Sequence, residues 1–159
     1  MHPSKLKFIV LSLFCAYIFL LLPWSGFALK IRPDFVLLVI IFWLIRAPNL
    51  CNVGIAWLVG LFVDLATGGT FGQYALAYTI TAFFAVSYQK RLVLFNGTQQ
   101  LFYVFLLLLI SQVVLLMLKT FSGAHFMGWV YFAPSFMGVL LWFIAVLCGL
   151  NTGGRSRGK

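Results

Sequence analysis

The chain has 159 residues, of which 64% are hydrophobic and 8% charged, whereas a soluble domain is roughly half apolar and about a quarter charged. A chain this apolar cannot cover itself with polar surface, so its solvent is lipid, and a single-domain integral membrane protein is expected. The formal charge of +9 does not point to nucleic acid. The basic residues stand singly or in pairs at the ends of apolar runs, where cations orient a membrane protein, and no basic face with interleaved aromatics exists.

Residues 1–150 read as one all-α domain of six transmembrane helices with short loops. The first covers residues 6–22 and follows Lys5 and Lys7. Pro23-Trp24, and not a small-residue cleavage site, comes directly after it, so it is expected to stay as a membrane helix rather than leave as a signal peptide. Pro23 ends it, and Trp24 suits an interfacial anchor. The second covers 33–47, with Pro33 at the first helical position, Asp34 in the first turn and Pro48 closing it. The third covers 53–67, with Asn52 as N-cap and Gly68-Gly69 as terminator. The fourth covers 71–88, the fifth 101–118 and the sixth 129–150, with Pro134 in its first turns. Residues 151–159, NTGGRSRGK, form a polar basic tail expected to be disordered.

The second and third segments are short, about 15 residues or about 22 Å each. They cross a thinned bilayer, or they dip in and return as one re-entrant hairpin shielded by other helices. With the N-terminus inside, the six-crossing arrangement puts eight of the eleven basic residues on the inner side and leaves Lys30, Arg32 and Lys119 outside, which favours cytoplasmic termini. It also spares Arg46 a position at membrane depth. Six crossings are therefore preferred.

The chain has two acids, Asp34 and Asp64, and both fall on the outer side. Asp64 lies near the C-terminal end of its helix, where the dipole disfavours an anion, and an ionisable group there needs a partner. An ion pair with Arg32 or Lys30 is the leading reading; a headgroup-level carboxylate and a partner- or ligand-binding group are the alternatives. A proton relay lacks a second intramembrane carboxylate. Asp34 reads as a helix N-terminal anion, and Arg32-Pro33-Asp34 as a candidate recognition corner. Gly54, Ala56 and Gly60 suit close helix packing. Gly68-Gly69-Thr70-Phe71-Gly72 is a glycine-rich turn, not a phosphate loop, because no lysine follows it. Gln112 is expected to bond between helices.

Catalytic sets are missing from this inventory. Cys15, Cys51 and Cys148 have no CxxC spacing, and His2 and His125 are isolated, with His125 in an outer loop. No serine–histidine or cysteine–histidine nucleophile arrangement is credible. The two carboxylates could converge for acid–base work, but no metal ligands accompany them. No enzyme, cofactor or metal is expected.

The stretch from Arg32 to Gly72 carries a further signal. Its order is Arg32-Pro33-Asp34, Trp43, Ala47-Pro48, Asn52-Val53-Gly54, Asp64-Leu65, then Gly68-Gly69-Thr70 and Gly72. Together with Pro23-Trp24, the length and the six apolar runs, it resembles the bacterial rod shape-determining protein MreD family over about Leu22 to Tyr88. The family often carries Asn at the position of Asp34. The resemblance implies a small, non-enzymatic inner-membrane scaffold of the cell-elongation machinery, needed for rod shape and lateral peptidoglycan synthesis. It implies MreC as partner, with MreB, RodA and an elongation penicillin-binding protein around them. It also implies a fold similar to the substrate-binding component of energy-coupling-factor transporters, which keeps a small-molecule-binding transporter component as the alternative. The residues expected to bind a partner or hold an ion pair are Arg32, Asp34, Asp64, Gly68, Gly69 and Gly72.

Overall fold

A computed structural model describes residues 3–23, 25–26, 32–47, 49–68, 70–92, 97–123 and 128–147. Among them there are six α-helices and no strand. They are α1 (Pro3–Leu21), α2 (Phe35–Arg46), α3 (Val53–Thr67), α4 (Gln73–Leu92), α5 (Gly97–Phe121) and α6 (Ala133–Leu147); a 3-10 turn, Trp129–Phe132, leads into α6. Trp24, Lys30, Pro48, Gly69, His125, Cys148 and the tail 151–159 lie outside the described residues.

The boundaries follow local chemistry, and several differ from the apolar runs. Pro33 precedes α2 instead of opening it: Asp34 is the N-cap, and its side chain accepts the Leu37 amide. A cap with a side-chain acceptor satisfies an amide that the helix leaves orphaned, and that sets the start one residue after the acid. Asn52 holds the N-cap position of α3 without a side-chain bond. Helix α4 begins at Gln73 rather than Phe71, since Gly72 takes φ +96°, outside the helical region. Helix α5 extends beyond the apolar run at both ends. At the other end of the chain, Pro134 fits near the start of a fresh helix, where its missing N–H costs nothing, so α6 starts at Ala133.

Helix α2 is the centre of the bundle. It packs against α1, α4 and α6, and Val36, Leu37, Leu38, Ile40, Ile41, Leu44 and Ile45 are all buried. A helix apolar on every side is one surrounded by other elements, and FVLLVIIFWLIR is such a sequence. The Trp43 indole N–H donates to the Ser12 hydroxyl at 2.8 Å, pinning α1 to α2. Helix α1 is also held to α3, where the Tyr17 hydroxyl donates to the Phe62 carbonyl at 3.2 Å.

Helices α3 and α4 form the closest pair. The buried face of α3 is Ala56, Gly60, Val63 and Asp64, a helical repeat of small and short residues. A Cβ at Gly60 would lie 2.5 Å from the Ala75 Cα, so the backbones meet at a distance only glycine permits. Gly54, by contrast, has nothing within 4 Å of its Cβ position, and the close packing expected of it is not found.

The exterior is apolar. Phe8, Phe14, Phe62, Phe83, Phe102 and Phe136 are among the large exposed side chains. One helix among the described residues, over Thr98–Phe121, is long and apolar enough to cross a membrane. Leu6–Leu21, Phe35–Arg46, Val53–Thr67 and Ala133–Ala145 are apolar but shorter.

Candidate functional site

The end of α1, the start of α2, the end of α3, the start of α4, the end of α5 and the start of α6 meet at one end of the bundle. Leu20, Asp34, Thr67, Tyr74, Lys119 and Ser135, one from each, line a common cavity of about 520 Å³. Both acids of the chain lie at this end.

Asp64 is 2% exposed. Its Oδ1 accepts the Tyr74 amide at 2.9 Å, and its Oδ2 accepts the Gly72 and Ala75 amides, each at 3.1 Å. The carboxylate therefore caps the N-terminus of α4 from the C-terminal end of α3. Of the two cations expected to pair with it, Arg32 does not and Lys30 lies outside the described residues; Asp64 sits at the unfavourable end of its own helix but at the favourable end of the next one. Gly60, one turn earlier on the same face, brings the first turn of α4 within reach. Gly68 ends α3 as a left-handed cap at φ +63°, and its N–H donates to the Asp64 carbonyl. Gly72 supplies both the turn and one of the three amides.

Asp34 is bound to the same helix at a separate point. The Tyr78 hydroxyl donates to its Oδ1 at 2.6 Å and its Oδ2 at 2.7 Å, besides the Leu37 amide at 3.1 Å. Tyr78 is fully buried, so its O–H needs a partner. The two carboxylates thus share a helix and no hydrogen bond. Arg32 pairs with neither: its Nη1 donates to the Leu20 carbonyl at 2.9 Å. That carbonyl is one of the orphan acceptors at the end of α1, where a cation also meets the negative end of the dipole.

A third polar group ties the α3–α4 turn to α5. Gln73 Nε2 donates to Thr70 Oγ1 and, at 3.0 Å, to Ser122 Oγ; Thr70 and Ser122 are themselves 3.1 Å apart. Lys119 Nζ stands 5.8 Å from the Tyr74 ring centroid and 5.7 Å from that of Tyr131, which is cation–π distance.

Of the residues singled out in the sequence, Arg32, Asp34, Asp64, Gly68 and Gly72 fall in this end of the fold, while Gly69 lies outside the described residues. Tyr74, Tyr78, Ser111, Lys119, Tyr131 and Ser135 were not singled out. Lys119 had a signal, a lone cation after a long apolar run. Tyr78 had none, because its place in an apolar helix gives no hint of a carboxylate 44 residues away in the chain. Gln112 departs from its expected role: its Oε1 is buried without a partner.

An all-helical bundle with an apolar exterior, knit at one end by buried carboxylates, defines the class: a membrane protein. A family model for the rod shape-determining protein MreD matches residues 4–148. The rod shape-determining protein MreD of Haemophilus influenzae is 30% identical over 138 residues, covering 85% of this chain and 84% of its own. The chain belongs to the MreD family, and membership supports a role in rod shape determination. No solved structure matches.

Proposed function

We propose that this protein is a non-enzymatic scaffold of the cell-elongation machinery in the bacterial inner membrane, acting with MreC in lateral peptidoglycan synthesis. MreB, RodA and an elongation penicillin-binding protein are the wider partners of this reading. The observation that carries it is the use of the two acids. Asp64 accepts three backbone amides, and Asp34 accepts one amide and a tyrosine hydroxyl. Both are committed to holding helices together, which suits a rigid membrane platform.

In this reading the chain crosses the bilayer six times with both termini cytoplasmic. The basic residues support that orientation, with eight of eleven on the inner side. The polar end then faces the periplasm, where a bitopic partner presents its extramembrane part. Arg46 lies at the opposite end of α2, exposed and 5.7 Å from the Phe42 ring.

The test is affinity purification from gently solubilised native membranes, with copurifying proteins identified by mass spectrometry. Recovery of MreC with the elongation synthase supports the scaffold. The alternative is a small-molecule-binding component of an energy-coupling-factor-type transporter, and the cavity is the one observation on its side. Recovery of an ATPase pair without MreC would replace the scaffold with that reading.

A further inference from the structure

The cavity at the polar end has walls that the scaffold reading does not use. Ser111 and Ser135 are each 1% exposed, and both line it, as does Gln112. The Oγ atoms of both serines and the Oε1 of Gln112 have no hydrogen-bond partner. Buried polar atoms are almost always partnered. Hydroxyls elsewhere in these helices follow that rule: Thr67, Thr79, Thr81, Ser87 and Thr120 each donate to the carbonyl four residues back. Ser111 sits in mid-helix and does not.

The charge of the walls is specific too. Arg32, Lys119 and Asp34 line the cavity. Asp34 is occupied by Tyr78 and the Leu37 amide. Asp64 is occupied by the α4 amides. Lys119 is held between two aromatic rings and has no carboxylate partner among the described residues. Arg32 uses Nη1 for the Leu20 carbonyl and keeps further donors of its fork. Two cations thus face one engaged carboxylate, so the walls carry an excess of positive charge. A volume of about 520 Å³ lies within the usual range of small-molecule sites, about 300–1,000 Å³.

We infer that this cavity binds a small hydroxylated anion, a phosphate or carboxylate on a polyol body, with its anionic group at Lys119 and its hydroxyls on Ser111, Gln112 and Ser135. A glycerol phosphate has this chemistry, and it occurs both as the headgroup of an anionic phospholipid and as a free solute. The inference rests on neither functional reading above, and its test is independent of what copurifies.

The experiment is calorimetric titration of the purified full-length protein in neutral detergent. The probes are dihexanoyl phosphatidylglycerol and free glycerol 3-phosphate; dihexanoyl phosphatidylcholine and glycerol are the controls. The wild type is expected to bind at least one anionic probe, more weakly as salt rises, and neither control. Lys119→Met, which keeps the apolar stem against both rings, is expected to weaken binding by about tenfold or more, as is the double variant Ser111→Ala/Ser135→Ala. The double variant removes unpartnered hydroxyls, so without ligand it melts at the wild-type temperature or above. Binding of the lipid alone assigns the site to a headgroup; binding of the free phosphate, alone or with the lipid, assigns it to a soluble anion. Failure of both anionic probes at millimolar concentration overturns the inference. So does equal binding of the choline lipid, or wild-type affinity in a folded Lys119→Met and in the serine double variant.

Discussion

The Tyr78 hydroxyl reaches both oxygens of Asp34, at 2.6 and 2.7 Å, from a fully buried position on α4. This contact joins the cap of the central helix to the helix that Asp64 caps, so the two acids hold α4 at two heights. Tyr78→Phe leaves Asp34 buried with one acceptor role unfilled and is expected to cost about 1–3 kcal/mol. A double-mutant cycle with Asp34→Ala, read by thermal unfolding in detergent, should give a coupling energy clearly above zero. Additive losses would separate the two side chains energetically.

The acids are not equivalent. An Asn at 34 keeps one carbonyl oxygen, enough to accept the Leu37 amide or the Tyr78 hydroxyl. An Asn at 64 has one carbonyl oxygen for three amides, and its NH₂ would face donors. Asp64→Asn is expected to destabilise by about 2–4 kcal/mol, and Asp34→Asn by less. In a cell-shape complementation assay Asp64→Ala should lose rod shape where Asp34→Asn retains it. Wild-type behaviour of both would remove Asp64 from any essential role.

Gly60 offers a steric test. A Cβ there meets the Ala75 Cα at 2.5 Å and the Ala75 nitrogen at 2.8 Å, both backbone atoms that cannot rotate away. Gly60→Ala must push α4 from α3 and loosen the Asp64 cap, at a cost of about 1–3 kcal/mol. Gly54→Ala has open space and is expected to be neutral or to stabilise by about 0.5–1 kcal/mol, since it sits inside the same helix. Comparing their melting temperatures isolates the contact from helix propensity.

Cys51 lies in the turn between α2 and α3 and is 1% exposed. Burial disfavours its thiolate and pushes the thiol up to about 11. Because the thiolate is the nucleophile, maleimide at pH 8 should leave Cys51 unmodified in the folded protein and label it after denaturation in SDS. Peptide-resolved mass spectrometry reads the difference, and rapid native labelling would show that the turn opens.

Gly72 combines a φ of +96° with a donated amide to Asp64. Gly72→Ala is expected to cost about 1–2 kcal/mol from the backbone alone. Because the cavity walls do not include residue 72, anion binding by the folded variant should match the wild type.

Composition alone placed this chain in a membrane, and the alternation of apolar runs with Pro, Gly and Asn located its helices to within a few residues. The reason is that lipid requires each crossing segment to satisfy its own backbone, and that requirement is written locally. The run 53–67 is helix α3 as it stands; only the ends of other helices moved, where a cap such as Asp34 or a glycine such as Gly72 outweighed hydropathy. The order of motifs from Arg32 to Gly72 also carried the family. Partnerships were another matter. The sequence marked Asp64 as a costly charge needing a partner but did not point to the α4 amides, because a carboxylate at the end of one helix is placed by the turn that follows it. Only tertiary packing brought Tyr78 to Asp34, left Arg32 on the Leu20 carbonyl, and gathered Lys119, Ser111 and Ser135 around a shared cavity. Those contacts join residues on different helices, and periodicity along a single helix says which side is apolar without saying what stands opposite.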